Sequence, residues 1–300
     1  MDWGKARLWL ILLFALLDAY LWVQVRAEEA AWRSWAWVPP GSAAGTGSPE
    51  EASRRLQEAG VLLETNLPTE APSLPLWTVR ALPADGAALA RRLFQNEHWT
   101  AEPWPGSPGS YTYIDRKTPQ VRLSVLREGP VVYEEPAGSG SGPSPAEARR
   151  VADDFLGRLA WPPGGEVAFD GVEKAAGAGS GLVVHYVEVF HGRPLFGGYV
   201  AAEVQAGEVT HLEGVWLEVS GRGGASRPIM PAEEALLRLA ADQGANRAQP
   251  LRVRQVQLGY YSPLYRVYEA NRWDVAPVWR IRLADGSIFY VNAYTGLTEK

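Results

Sequence analysis

The sequence predicts an α+β protein: an N-terminal transmembrane helix followed by extracytoplasmic units of antiparallel sheet packed with helices. Three observations predict it. Residues 8–25 are a continuous apolar run interrupted by one carboxylate. Helix starts built from proline and acids recur at 48–51, 144–147 and 231–234. Short runs of alternating apolar and polar residues follow each start, which is the period of a half-buried strand. An amphipathic helix cannot bury its apolar stripe alone, and a sheet with one apolar face supplies the partner.

The apolar run comes first. Leu8 to Val25 is 18 residues, about 27 Å of helix at roughly 1.5 Å per residue, against a hydrocarbon core about 30 Å thick. Trp9 and Trp22 lie near its two ends, where interfacial aromatics belong. Lys5, Arg7 and the terminal amine outweigh Asp2 on the near side, while Arg26 and Arg33 are balanced by Glu28 and Glu29 on the far side. The positive-inside rule then puts the N-terminus in the cytoplasm and residues 28–300 outside, as a single-pass protein of the cell membrane. Val25-Arg26-Ala27 would suit a cleavable signal. The long apolar run, its internal carboxylate and the absence of a helix breaker before that site favour an uncleaved anchor. A mid-span carboxylate costs roughly 2.5–3.5 kcal/mol on insertion scales. Asp18 therefore either sits near the outer interface or pairs with a polar group on another membrane helix. Asp18 and its neighbours Leu17 and Tyr20 are the expected partner-helix contact; Lys5, Arg7, Trp9 and Trp22 set membrane orientation.

Composition shifts then divide the chain into 1–27 (cytoplasmic tip and anchor), 28–48 (stalk linker), 49–136 (N-terminal α+β subdomain), 137–145 (linker), and two further α+β units at 146–220 and 229–300. The stalk "WVPPGSAAGTGSP" and the break "PAGSGSGPSP" are too rich in Pro, Gly and Ser to pack a core. In the first subdomain Asp85-Gly86 opens a helix, and "YTYID", "QVRLSVL" and "VVYEE" read as strands. Ser144-Pro145 with Glu147 caps the next helix, whose apolar face is Val151, Ala152, Phe155, Leu156 and Leu159. The strands "LVVHYVEVFHG", "GGYVAAEVQ" and "EVTHLEGVWLEV" follow, with a tight turn at 206–208. The last unit repeats the order: a helix from 231, then "LRVRQVQLGYYS", "LYRVYEAN", "PVWRIRLA" and "SIFYVNAYTG", with a hairpin turn at 284–286.

Catalytic, cofactor-binding and metal-ligating residues are not expected. The chain has no cysteine, which removes disulfides and thiolate chemistry, and its net charge of −5 offers nothing to nucleic acid. His185 and His191, six apart in one expected strand, would face the same side about 20 Å apart, too far to share a metal; His191 precedes a glycine and is expected at a turn. His98 and His211 have no helical metal-site spacing. "GSGSGPS" lacks the Lys-Ser/Thr of a phosphate loop, and no Gly-x-Ser-x-Gly elbow occurs. The adjacent carboxylates Asp153-Asp154 and Glu134-Glu135 cannot converge. Tyr260, Tyr261, Tyr265 and Tyr268 could line a groove or fill a core.

"MDWGKARLWLILLFALLDAYL" resembles the opening of the YycI family of two-component system regulatory proteins of Gram-positive bacteria, through Met1, Asp2, Trp3, Lys5, Arg7 and Asp18. "PVWRIRLADGSIFYVNAYTG" and "RPLFGGYVAAEVQAGEVTHLEG" are similar to that family's closing strands and to PepSY-type repeats. The resemblance covers the anchor and about 145–300; residues 50–135 match in pattern only. It implies a PepSY-like/YycH-like outer domain and a non-catalytic regulator without a cofactor. Its partners would be a sensor histidine kinase governing cell-wall metabolism and a YycH-type sister protein, reached through membrane helices and outer domains. The alternative is an exported PepSY-like binding protein or protease inhibitor; a cell-wall enzyme is a third reading.

Overall fold

The computed structural model describes residues 49–95, 98–127, 129–162, 164–176, 180–244, 249–263 and 272–299. It falls into a unit at Met1–Glu51, of which only 49–51 are described, and a unit at Ala52–Lys300, to which the following applies. Among the described residues no helix is long and apolar enough to cross a membrane; the apolar run at 8–25 lies outside them, as do the Ser48 cap, the stalk and the expected strand at 264–271.

In chain order the elements begin with α1 (Pro49–Glu58), β1 (Val61–Leu63), β2 (Ser73–Leu74), β3 (Trp77–Ala81) and α2 (Gly86–Phe94). Next come β4 (Trp99–Pro103), β5 (Tyr111–Asp115), β6 (Arg122–Val125), β7 (Val131–Glu134) and α3 (Pro145–Leu159). The meander β8 (Glu166–Lys174), β9 (Leu182–Phe190), β10 (Arg193–Gln205) and β11 (Glu208–Val215) leads into β12 (Leu217–Arg222) and β13 (Arg227–Pro228). The chain closes with α4 (Ala232–Asp242), β14 (Leu251–Tyr261), β15 (Trp273–Leu283), β16 (Ile288–Asn292) and β17 (Thr298–Glu299).

Helix starts follow the local chemistry. Ser144 and Glu147 form a reciprocal capping box with Pro145 in the first turn. Asp85 accepts the Ala88 amide at the start of α2. Helix α4 carries Glu233 and Glu234 in its first turn but starts at Pro231 without a side-chain cap. Two hairpins turn on two residues of positive φ each, His191-Gly192 between β9 and β10 and Ala206-Gly207 between β10 and β11.

Fifteen strands form one branched sheet, with the main path β12-β3-β15-β14-β10-β11-β7-β6-β5-β4. The expected antiparallel pattern holds except at two pairings among the described residues: β1 with β14, and β10 with β14 at Leu195 and Tyr260. Both join segments distant in sequence. One core lies under α2 and α3, where Leu89, Phe155 and Leu159 meet Leu123, Val184, Val200 and Leu212. A second lies under α4, where Leu236 and Leu239 meet Val253, Trp279, Ile281 and Val291. Val79, Leu195, Leu217, Tyr260 and Val275 form a smaller cluster. The strand β8 was not expected: its bulge between Phe169 and Gly171 breaks the alternation that marks a strand.

Trp279 is fully buried and its indole N–H donates to the Met230 carbonyl at 2.9 Å. Trp279→Ala will cost roughly 3–5 kcal/mol, by the scale of large-to-small core substitutions, and will leave that carbonyl unpaired. Urea unfolding, with Trp279→Phe as the milder comparison, checks it.

Candidate functional site

The site is the joint at which the two sheet halves meet, and β10 builds it. Along one edge β10 pairs with β9; along the other its first residues meet β14 and the stretch Tyr199–Gln205 meets β11. A register break between Leu195 and Tyr199 separates the two stretches. Phe196 in this break packs with Val187, Tyr261 and Val278, and its ring lies 5.4 Å from that of Tyr290. Tyr261 and Tyr290 stack at 3.9 Å. A Cβ on Gly259 would meet the Phe196 ring and the Pro194 carbonyl at 2.5 Å, so only glycine lets β14 come this close to β10.

The joint is clamped by charge. Asp170, the bulge residue of β8, accepts from Arg280 Nη1 at 2.6 Å and Nη2 at 2.5 Å, and from Arg282 Nη2 at 3.1 Å. Gln257 Oε1 accepts from Arg280 Nη2 at 2.6 Å, and the Arg280 guanidinium lies 4.3 Å from the Phe196 ring centre. The Arg280 side chain is 4% exposed. Burial pushes the Asp170 carboxyl upward, but the two guanidiniums, Arg280 foremost, more than offset this and hold it below its ordinary 3.8. The fork geometry of arginine allows one carboxylate to bind both partners.

The joint also holds a carboxyl that is paired with no cation among the described residues. Glu188 of β9 is 7% exposed and accepts the Leu217 amide at 3.0 Å, at the start of β12. Burial pushes its pKa up to about 7 from 4.5, only partly opposed by that hydrogen bond.

The expected contact and orientation residues Lys5, Arg7, Trp9, Leu17, Asp18, Tyr20 and Trp22 lie outside the described residues, as do Tyr265 and Tyr268. Tyr260 and Tyr261 are buried core residues. His191 sits at the turn expected for it, at φ +50°; because β9 ends at Phe190, the expectation that it shares a strand face with His185 is corrected. His185 Nε2 contacts Glu173 at 2.8 Å, and His191 stacks on Trp77. Among the described residues no group of three His, Asp or Glu converges to hold a metal ion. Sequence reading missed Asp170, Glu188, Arg280 and Arg282. The available signal was Glu188 in phase with the core residues Val184 and Tyr186.

All of these joint residues fall in one stretch of recognisable sequence. Residues 149–294 match the family described as YycI protein. The YycI match spans just under half of the chain and meets the resemblance seen in its C-terminal half; the N-terminal opening lies outside it. No curated protein matches the chain in sequence. Among solved structures, an uncharacterized protein from Eubacterium rectale ATCC 33656 is similar at 11% identity and a TM-score of 0.50, covering 76% of this chain and 86% of that one. The Bacillus megaterium YpeB C-terminal domain aligns at 16% identity and a TM-score of 0.45, covering 74% and 97%. The first likeness concerns the fold alone, a sheet-rich α+β architecture.

Removing the anion of the clamp tests its weight. Asp170→Asn will cost roughly 3–5 kcal/mol at neutral pH, the range for breaking a buried pair. The native carboxyl titrates below 3.8, so the stability it contributes is present above that value and lost as pH falls through the lower native one. Urea midpoints of wild type and variant will therefore converge in acid. Asp170→Leu combined with Arg280→Met will recover part of the loss.

Proposed function

We propose that this protein is a membrane-anchored, extracytoplasmic regulator of a sensor histidine kinase that governs cell-wall metabolism, acting with a YycH-type partner and without catalysis of its own. The observation that carries the reading is the YycI match over residues 149–294, which takes in both halves of the sheet joint. The sequence adds an apolar run long enough to span a bilayer, with basic residues before it. In this reading the helix at 8–25 packs against a kinase or partner helix, and Asp18, with Leu17 and Tyr20, supplies the polar contact. The folded region from Ala52 onward engages the kinase's outer domain. Regulation then requires that the protein bind one kinase state more tightly than the other, since equal affinity shifts nothing.

The test is co-purification of the tagged full-length chain from membranes, beside Asp18→Leu. Recovery of a sensor kinase with wild type, and a roughly ten-fold weaker association for the variant, is expected from an interhelical hydrogen bond worth about 1–2 kcal/mol. Equal kinase recovery with both would remove the role of Asp18. Absence of a kinase with either, and a secreted protease in its place, would replace the regulator with an exported inhibitor.

A further inference from the structure

Glu188 is a buried carboxyl in an apolar phase of its strand. Among the described residues, no Lys, Arg or His nitrogen is paired with it, and the Leu217 amide donates to it. Its neighbours across the ladders are Val167 of β8 and Leu195 of β10, both apolar. On the Gly198 side the fit is so close that an added Cβ would collide with the Glu188 carboxylate. The charged groups of the packed elements are committed elsewhere or stand at exposed ends. In β8, Asp170 holds Arg280 and Arg282, Glu173 contacts His185, and Glu166 and Lys174 are exposed at the two ends. In β10, Arg193 binds Glu70 and Glu203 accepts from Gln205. In β11, Glu213 accepts from Tyr199, while His211 and Glu208 lie toward the far end of the strand. In β12, Glu218 pairs with Arg80 of β3, and Arg222 lies over the Trp77 ring.

We propose that Glu188 is a protonation switch in the joint: neutral, it stays dry between β9 and the start of β12; ionised, it draws solvent in, and the opening that hydrates the charge outweighs the firmer hold of a carboxylate on the Leu217 amide and loosens β12 from β9. The location gives the switch its reach. Leu217 opens the strand that pairs with β3, and β3 in turn pairs with β15, so loosening at Leu217 acts on the connection between the two halves. The inference does not depend on the kinase reading.

The sign follows from linkage. The native carboxyl titrates at about 7 and an unburied one at 4.5. Stability is therefore full below 4.5, falls as pH rises toward 7, and is flat above it. The total change in the unfolding equilibrium is on the order of a hundred-fold. The experiment is urea unfolding of the full-length chain and of Glu188→Gln, which keeps the shape and an acceptor, from pH 5 to pH 8. Wild type is expected to lose stability across that range relative to the variant, and its Leu217 amide to exchange faster above pH 7 once intrinsic rates are removed. Parallel profiles would overturn the proposal. A carbon-13 titration of the Glu188 carboxyl in the unsubstituted chain stands independently of the variant's folding: a midpoint near 7 supports the switch, and one near 4.5 overturns it.

Discussion

Strand β10 divides one of its edges between two partners, and the rest of the molecule follows from that division. A regular strand of 13 residues would commit its whole edge to one neighbour. The break between Leu195 and Tyr199 instead hands the first stretch to β14 and the second to β11. Each half can then present one face to its own helices, α2 and α3 on one side and α4 on the other, and still share a backbone ladder. What remains is the other face of β14 and β15, where Asp170, Phe196 and Arg280 converge. Closing that space with a charged clamp rather than with aliphatic side chains adds little net stability over an apolar core. It does make one arrangement of β8 on β15 much better than its neighbours, because a two-arginine fork tolerates little displacement.

Much of the fold was legible because most of its elements follow local rules. The capping box at Ser144, the Asp85 cap and the alternation in β9, β10 and β11 concern neighbours in sequence, and the helices and hairpins form where those signals stand. Elements whose stability comes from distant partners were not legible. Strand β8 breaks its own alternation, and β3 is held between β12 and β15, both far downstream. The sequence divides at 137–145 and near 220–228, yet strands from all these segments join one ladder. Gly/Ser-rich connections report where the chain is loosely tied and say nothing about which edges later meet.

The site was the less legible part for a related reason. "WRIR" in β15 alternates as a strand with one solvated face should, and the two arginines read as that face. Covered by β8, they become a buried clamp. A polar residue at a strand's outward phase is ambiguous until the covering layer is known. Glu188 was closer to legible, since it stands in the apolar phase of its strand, and a carboxylate there is costly enough to raise a question.

The placement of β3 has a consequence for the order of assembly. The meander from β8 to β11 is built from neighbouring strands joined by tight turns, and local contacts of that kind close in microseconds. Strand β3 must wait: its Thr78 hydroxyl donates to Asp274, 196 positions later, and its backbone ladder needs both β12 and β15. A chain delivered from its N-terminus thus presents β3 early and completes its pairing late. Until nearly all of the polypeptide has emerged, Trp77, Val79 and the edges of this strand are left for other partners, and protection of that one segment sets how cleanly the molecule is made.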